Sequence, residues 1–265
     1  MEHITTLSFC IKPVKDPNFS ENNICAFGPM LQSVLLSHAD SSYAEQLHTA
    51  SFHPYSQCCF KDRDGNIIWR INALTDEATS YLLEPARKIE SFTLRNLDTS
   101  FAVVKSSYET SSISCFLDRL TEETDPTFRI QFLTPTAFKS KGRYVIIPEV
   151  RLIFQNLLMR YNQVYAGSNE IDANTVAYIA DHTSISSYNL RSRYFSRTMS
   201  KSDKIPAFVG SVTLHVAGSQ QLQGLIAMLL AFGEVAGVGI KTSMGMGGLR
   251  LLQNTVKTKE QNREG

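Results

Sequence analysis

Apolar and polar residues follow two periods along this chain, one typical of helices and one typical of strands. Apolar positions at helical spacing predict helices over residues 29–48, 76–87, 148–161 and 220–232. Alternating or continuous apolar runs predict strands over residues 7–11, 67–74, 93–105, 128–133, 208–216 and 248–252. Residues 166–202 are rich in Ser, Tyr and Arg and are predicted to be irregular.

The order of these elements is similar in the two halves of the chain. Each half approximates β-α-β-β-α-β, the ferredoxin-like or RRM-like unit. A Ser/Thr-rich passage at residues 106–114 precedes the change from one half to the other. We therefore predict an α+β protein of two tandem ferredoxin-like domains, residues 1–115 and 126–255, with a polar tail at residues 256–265.

A glycine-rich loop at residues 237–248 holds five of the 14 glycines, between the last predicted helix and the last strand. Glycine permits positive φ and the close approach of a phosphate, and Lys241 adds a charge. The loop is not a P-loop, because Ile240 separates Gly239 from the lysine, and it does not open a helix as a dinucleotide fingerprint does. The residues alone leave a backbone-built anion site and a tight packed turn as alternatives.

Composition limits the partners and the cellular environment that are expected. The 265 residues are 43% hydrophobic, enough for two cores, and the net charge of +1 means that a polyanion would be held by local basic patches. Five cysteines without C-x-x-C spacing predict a reducing, cytoplasmic environment. The longest apolar stretch, residues 222–232, is shorter than the roughly 20 residues of a membrane span, so no membrane association is expected.

Several motifs of the second half occur together in one known family. Residues 132–139 form an FxTPTxFK-like strand, Pro148 opens a helix, and Arg193 and Tyr194 precede a glycine-bearing strand. The glycine-rich loop fits G-x-G-x-K-x-S-x-G-x-G through Gly237, Gly239, Lys241, Ser243, Gly245 and Gly247. In these motifs the chain resembles the CRISPR repeat-processing endoribonucleases, the Cas-six family of the RAMP superfamily. The resemblance implies a tandem ferredoxin-like fold and metal-independent cleavage of precursor crRNA.

The resemblance also implies two catalytic histidines. In this family a Leu-His at the end of the first helix carries the catalytic imidazole, and Leu47-His48 matches it. His53 takes the place of a lysine that precedes a Pro-Phe-Ser-like strand start, which makes it an assisting group. Imidazole titrates near neutral pH and can give or take the protons of the reaction. Without the resemblance, a helix-capping role for His48 and a solvent-facing position for His53 remain alternatives.

One feature of several relatives is missing. They carry a tyrosine on the first helix, well before the histidine, whereas residues 30–38 contain none. Ser33, Ser37 or His38 could supply its hydrogen bond, and Tyr43 lies nearer the histidine. The division of acid and base therefore stays open.

Basic residues near aromatic ones predict contacts with RNA phosphates and bases. They form one cluster on a predicted hairpin and one within residues 188–197, and the predicted contacts are Lys139, Lys141, Arg143, Arg191, Arg193 and Arg197. The resemblance adds the six motif residues of the glycine-rich loop. A solvated loop is the alternative for each cluster. No cofactor is expected. No metal is expected either, because a strand would point the adjacent Cys58 and Cys59 to opposite faces, where they could not bind one ion together.

The sequence thus predicts an endoribonuclease that binds CRISPR repeat RNA and cleaves it through the 2′-hydroxyl. The expected products are a 2′,3′-cyclic phosphate and a 5′-hydroxyl. Other CRISPR effector subunits are candidate partners, and the protein is expected to be a monomer or a homodimer. A non-catalytic repeat-RNA-binding or scaffold protein of the same superfamily is the main alternative, and a nucleotide-binding protein is a third.

Overall fold

The structure is a computed structural model that describes residues 3–14, 24–25, 27–94, 97–122, 125–196 and 204–252. The predicted polar tail at residues 256–265 lies outside this part of the chain. Across the described residues, no helix combines the length and the apolar composition needed to cross a lipid bilayer.

The N-terminal half is an antiparallel sheet with helices packed on one face. Its strands are β1 (His3–Val14), β2 (Tyr55–Lys61), β3 (Ile67–Ala73), β4 (Ser91–Leu94) and β5 (Thr99–Ser112). The helices are α1 (Gly28–His38), α2 (Ser41–Thr49) and α3 (76–86), whose middle turn, Thr79–Leu83, is a π-helix. The strand order is β2-β3-β1-β5-β4, which is the ferredoxin-like order with β4 added at one edge.

The C-terminal half repeats this plan. Its sheet contains β6 (Thr127–Thr136), β9 (Thr183–Ser196), β10 (Lys204–Val216) and β11 (Leu249–Leu252) in the order β11-β6-β10-β9. A separate hairpin joins β7 (Phe138–Ser140) to β8 (Arg143–Val145). The helices are α4 (Ser114–Leu117), α5 (Val150–Tyr161), α6 (Ala173–His182) and α7 (Gln220–Ala236). The prediction of a tandem ferredoxin-like α+β fold is confirmed.

Alternation along β1 and β3 explains the first core. Leu7, Phe9 and Ile11 point to the helical face and are buried, and the Phe9 ring lies 5.5 Å from the ring of Trp69 on the neighbouring strand. Leu31 of α1 is buried in the same cluster. Because the apolar residues of each strand share one face, burying them fixes the side on which α1 and α2 pack.

Three sequence predictions were wrong in detail. The single helix predicted over residues 29–48 is two helices. The Asp40 side chain accepts a hydrogen bond from the backbone amide of Tyr43 at 3.0 Å, and this cap starts the second helix. The extended segment at 93–105 is divided between β4 and β5. Residues 166–202, predicted to be irregular, contain α6 and β9.

The two halves meet through β2. The side-chain amide of Gln57 donates to the carbonyls of Gly28 and Ser243, at 3.1 and 2.8 Å. The Trp69 indole donates to the other end of that amide at 2.8 Å and fixes its orientation. Ser56 donates to the carbonyl of Val235 near the end of α7. The glycine-rich loop is therefore held against the first helix of the other half.

Candidate active site

A cavity of about 410 Å³ lies where α1 and the end of α2 approach α5 and the glycine-rich loop. Its walls come from both halves of the chain. They are formed by Gln32, Leu36, Leu47, His48, Ala50, Ser51, Phe52, His53, Arg160, Lys241, Thr242, Ser243 and Met244. Both predicted catalytic histidines and Lys241 of the loop are among them, although they are nearly 200 residues apart in sequence.

His48 lies in the last turn of α2, at the edge of the cavity. Its side chain is exposed and forms no hydrogen bond to any residue in the described part of the chain. The preceding Leu47 is buried and anchors the helix, which ends because Ala50 takes an extended conformation. The imidazole of His48 is therefore free to meet a substrate.

His53, in contrast, is engaged on both ring nitrogens. Its Nε2 lies 2.9 Å from the carbonyl of Leu47, and its Nδ1 lies 2.8 Å from the hydroxyl of Ser243. A carbonyl only accepts, so Nε2 carries the proton and Nδ1 accepts from Ser243. The ring also stacks on Tyr55 at 5.6 Å between centroids. His53 thus ties the end of α2 to the glycine-rich loop.

The bond between His53 and Ser243 is part of a longer chain of hydrogen bonds. The amide of Gln32 donates to the Tyr55 hydroxyl at 2.8 Å, and that hydroxyl bonds to Ser243. From there the chain continues through His53 to the carbonyl of Leu47. Burial lowers the pKa of His53, the bond to Leu47 opposes this, and the charge of Arg160 lowers it further. The neutral imidazole is therefore favoured, and it holds the backbone that carries His48.

The glycine-rich loop is shaped by its glycines and bonded to the protein. Gly237, Gly239, Gly245 and Gly247 all have positive φ. Their amides donate within the chain, in order, to the carbonyl of Gly233, the Asn156 side chain and the carbonyls of Thr242 and Pro135. These four amides already have acceptors, so they do not form an open phosphate cradle. An RNA contact at these glycines stays a prediction, while Lys241 and Ser243 line the cavity.

Gly247→Ala is expected to lower the thermal midpoint strongly. A Cβ at residue 247, where φ is +70°, would lie 2.0 Å from the carbonyl oxygen of Val238. Left-handed strain and overpacking together cost roughly 2–5 kcal/mol. The control is Gly65→Ala, where φ is +84° and nothing lies within 4 Å, so only the strain of about 1–2 kcal/mol applies. Equal melting shifts for the two variants would contradict the packed loop.

The predicted RNA-binding residues lie on two exposed elements. Lys139, Lys141 and Arg143 are exposed on the β7–β8 hairpin, where Lys141 and Gly142 both have positive φ in a two-residue turn. The carbonyl of Ala137, just before β7, accepts the amide of Ile240 at 3.0 Å. The hairpin is therefore attached directly to the glycine-rich loop.

Arg191 and Arg193 are exposed on one face of β9. Phe195, the next residue on that face, is buried in a small cluster with Met246 of the glycine-rich loop. The part of β9 that carries the two arginines therefore lies next to the residue that packs against the glycine-rich loop. Arg197 lies outside the described residues. RNA binding by these side chains stays a prediction.

Sequence reasoning missed two side chains of the cavity. Gln32 begins the donor chain, and Arg160 of α5 contributes a buried guanidinium. The helix at Arg160 was predicted, but nothing local in sequence indicates which loop it meets. In the described part of the chain, no group of three or more His, Cys, Asp or Glu residues is placed to hold a metal ion.

Comparison with known proteins gives consistent matches. The model of the family described as CRISPR-associated endoribonuclease Cas6 matches residues 130–249. The Cas6 endoribonuclease of Streptococcus thermophilus is 35% identical over 218 residues, 82% of this chain and 88% of the relative. That of Mycobacterium tuberculosis (strain CDC 1551 / Oshkosh) is 33% identical over 253 residues, 94% of this chain and 79% of the relative.

Solved structures share the fold. A Cas6 product complex aligns with a TM-score of 0.72 and 20% identity, covering 95% of this chain and 100% of its own. Thermus thermophilus Cas6 aligns with a TM-score of 0.65 and 22% identity, covering 95% of this chain and 98% of its own. These two alignments concern the fold, and the curated relatives establish the kinship. The chain belongs to the family of CRISPR-associated Cas6 endoribonucleases.

Proposed function

We propose that this protein binds CRISPR repeat RNA and cleaves precursor crRNA at one phosphodiester without a metal ion. The observation that carries the proposal is the exposed imidazole of His48, which bonds to none of the described residues and lies at the edge of a cavity that also presents Lys241. The curated relatives are named endoribonucleases, and one structural neighbour was solved as a product complex.

The proposed reaction is a transesterification within the substrate. The 2′-hydroxyl loses its proton and attacks the adjacent phosphorus, the bond from phosphorus to the 5′-oxygen breaks, and that oxygen takes up a proton. The products are a 2′,3′-cyclic phosphate and a 5′-hydroxyl. His48 is the principal acid/base group, and one such proton transfer contributes about 10²- to 10⁴-fold in rate.

His53 assists in a different way. Because both of its ring nitrogens are bonded, it holds the end of α2 and the hydroxyl of Ser243 in place. Lys241, whose Nζ lies 3.9 Å from the Met244 sulfur, brings a positive charge to the same cavity. That charge is placed to oppose the negative charge that builds up on phosphorus oxygens during the attack.

RNA leaving the cavity is proposed to follow the β7–β8 hairpin and β9. Both elements adjoin the glycine-rich loop, and both expose lysine or arginine side chains. Tyr188 and Tyr194, 73% and 69% exposed, are available for base stacking. Further CRISPR effector subunits, a monomeric or homodimeric state and a cytoplasmic location stay predictions.

The decisive experiment is a gel assay with the repeat RNA of the source genome in excess EDTA. Cleavage at a single phosphate, giving a cyclic phosphate end and a 5′-hydroxyl, is the expected result. Tight binding without cleavage would instead indicate a non-catalytic RNA-binding or scaffold protein. Cleavage that requires added Mg²⁺ would overturn the metal-independent mechanism.

Replacing both Arg191 and Arg193 by Ala is expected to weaken repeat binding and flatten its salt dependence. Each lost phosphate contact removes about 0.7–0.9 from the slope of log affinity against log salt, because fewer counterions are released. Binding measured from low to high salt tests this. The control is Arg87→Ala, which removes an exposed arginine paired with Glu84 on the other half. A double variant with the parent's slope would contradict the proposed RNA path.

A further inference from the structure

Arg160 is a buried cation with unsatisfied donors. It occupies the last turn of α5 and is 8% exposed. Its Nε and Nη2 atoms are buried and have no hydrogen-bond partner within the described residues. Burial lowers the pKa of the guanidinium to about 10, which still leaves it charged at neutral pH. Buried polar groups in native proteins are nearly always paired, so this exception requires an explanation.

The immediate surroundings do not neutralise the charge. No Asp or Glu is among the residues that line the cavity, which instead includes Lys241 as a second cation. Among the described residues, the Arg160 guanidinium makes its aromatic contact with Phe52, whose ring centroid lies 5.4 Å away. A buried charge without a counter-charge destabilises the fold. An anion entering the cavity would supply both the charge and the missing acceptors.

The position of Arg160 is fixed by the neighbouring turn of its own helix. Asn156, four residues earlier on the same face, accepts the amide of Gly239 at 2.7 Å. This bond turns that face of α5 toward the glycine-rich loop and therefore turns Arg160 toward the cavity. Arginine is suited to such a place, because its planar fork binds two phosphate oxygens at once.

We propose that Arg160 binds the reacting phosphate of the RNA and, after cleavage, the phosphate at the 3′ end of the upstream product. This inference rests on the proposed function, because it takes the cavity to be the place where RNA is cut. It assigns Arg160 to phosphate binding and leaves proton transfer to His48. The buried donors of the free protein then find their acceptors only when RNA is bound.

The test compares RNAs that cannot be cleaved. Two oligonucleotides carry the repeat sequence upstream of the cut, one ending in a 3′-phosphate and one in a 3′-hydroxyl. The parent protein is expected to bind the phosphate form about 10-fold more tightly or better, since hydrogen bonds to a charged group are worth that much. Arg160→Met is expected to lose most of this preference, the remainder coming from Lys241 in the same cavity, while binding the hydroxyl form as the parent does.

Two further variants separate charge, geometry and folding. Arg160→Lys keeps the charge without the fork and is expected to retain part of the preference. Arg151→Met, at an exposed position on the same helix, is the matched control and is expected to retain all of it. Thermal melting checks folding, and Arg160→Met is expected to melt no lower than the parent because it removes an unpaired buried charge.

The outcomes distinguish this inference from the proposed function. A parent that cleaves repeat RNA, together with an Arg160→Met variant that keeps the full phosphate preference, overturns the role of Arg160 alone. A parent that prefers the phosphate through Arg160 but never cleaves overturns the proposed function and leaves the phosphate site. If Arg160→Met fails to fold, equal binding of both RNAs by the parent or undiminished preference in Arg160→Lys overturns the inference.

Discussion

A repeat RNA with a 2′-deoxy nucleotide immediately upstream of the cut phosphate is expected to bind normally and to remain uncut. The proposed nucleophile belongs to the substrate, so removing one oxygen removes the reaction whatever the protein contributes. The expected loss is complete within the detection limit of a single-turnover assay with saturating protein. The measurement is a denaturing gel of the two RNAs side by side, in EDTA.

The matched control places the deoxy nucleotide immediately downstream of the same phosphate. That RNA lacks an equivalent oxygen but retains the nucleophile, so it is expected to be cut at the parent rate. Cleavage of the upstream-deoxy RNA at the same phosphate would show that water or a protein group attacks instead. In that case His48 could not act on the 2′-hydroxyl as proposed.

Much of the fold could be predicted from the sequence because its cores follow simple periods. The alternation of Leu7, Phe9 and Ile11 predicts β1, and the apolar run of α7 predicts a buried helix. β9 was not predicted because, in the described part of the chain, this edge strand pairs only with β10 and is exposed on both faces over much of its length. Exposed residues such as Tyr188 and Arg191 occupy both faces, so the strand shows no alternation between polar and apolar positions.

Some residues of the candidate site could also be predicted from the sequence, and others could not. His48, His53 and Lys241 could be proposed because they occupy motif positions, and the structure brings all three to one cavity. Arg160 could not, since an arginine in an amphipathic helix suggests a solvent-facing position. Its burial depends on the approach of a loop about 80 residues later in the chain. Long-range packing of that kind is absent from local patterns of hydrophobicity.

The glycine-rich loop shows a second limit of sequence reasoning. Its glycines suggested amides free to bind phosphate, yet the amides of Gly239 and Gly247 are bonded to Asn156 and to the carbonyl of Pro135. A positive φ is required by a packed turn as much as by an anion site. What the loop contributes to the cavity is the placement of Lys241 and Ser243.

His48→Ala is expected to lower the single-turnover cleavage rate by about 10²-fold or more while leaving repeat affinity nearly unchanged. The side chain is exposed and bonded to no described residue, so its removal costs the fold little. It is also one group among many RNA contacts, which is why binding is expected to persist. Rates at saturating protein and affinities from filter binding separate the two effects.

The matched control is His38→Ala, another exposed histidine at the end of a neighbouring helix. Its ring bonds to the carbonyl of Val34 and lies outside the cavity, so it is not placed to supply the hydrogen bond of the missing tyrosine there. This variant is expected to cleave at the parent rate. His53→Ala is expected to affect both rate and thermal midpoint, because it removes two hydrogen bonds that hold α2 to the loop. A His48→Ala protein with the parent's rate would move the proton transfer to another residue, whatever the effect at His53.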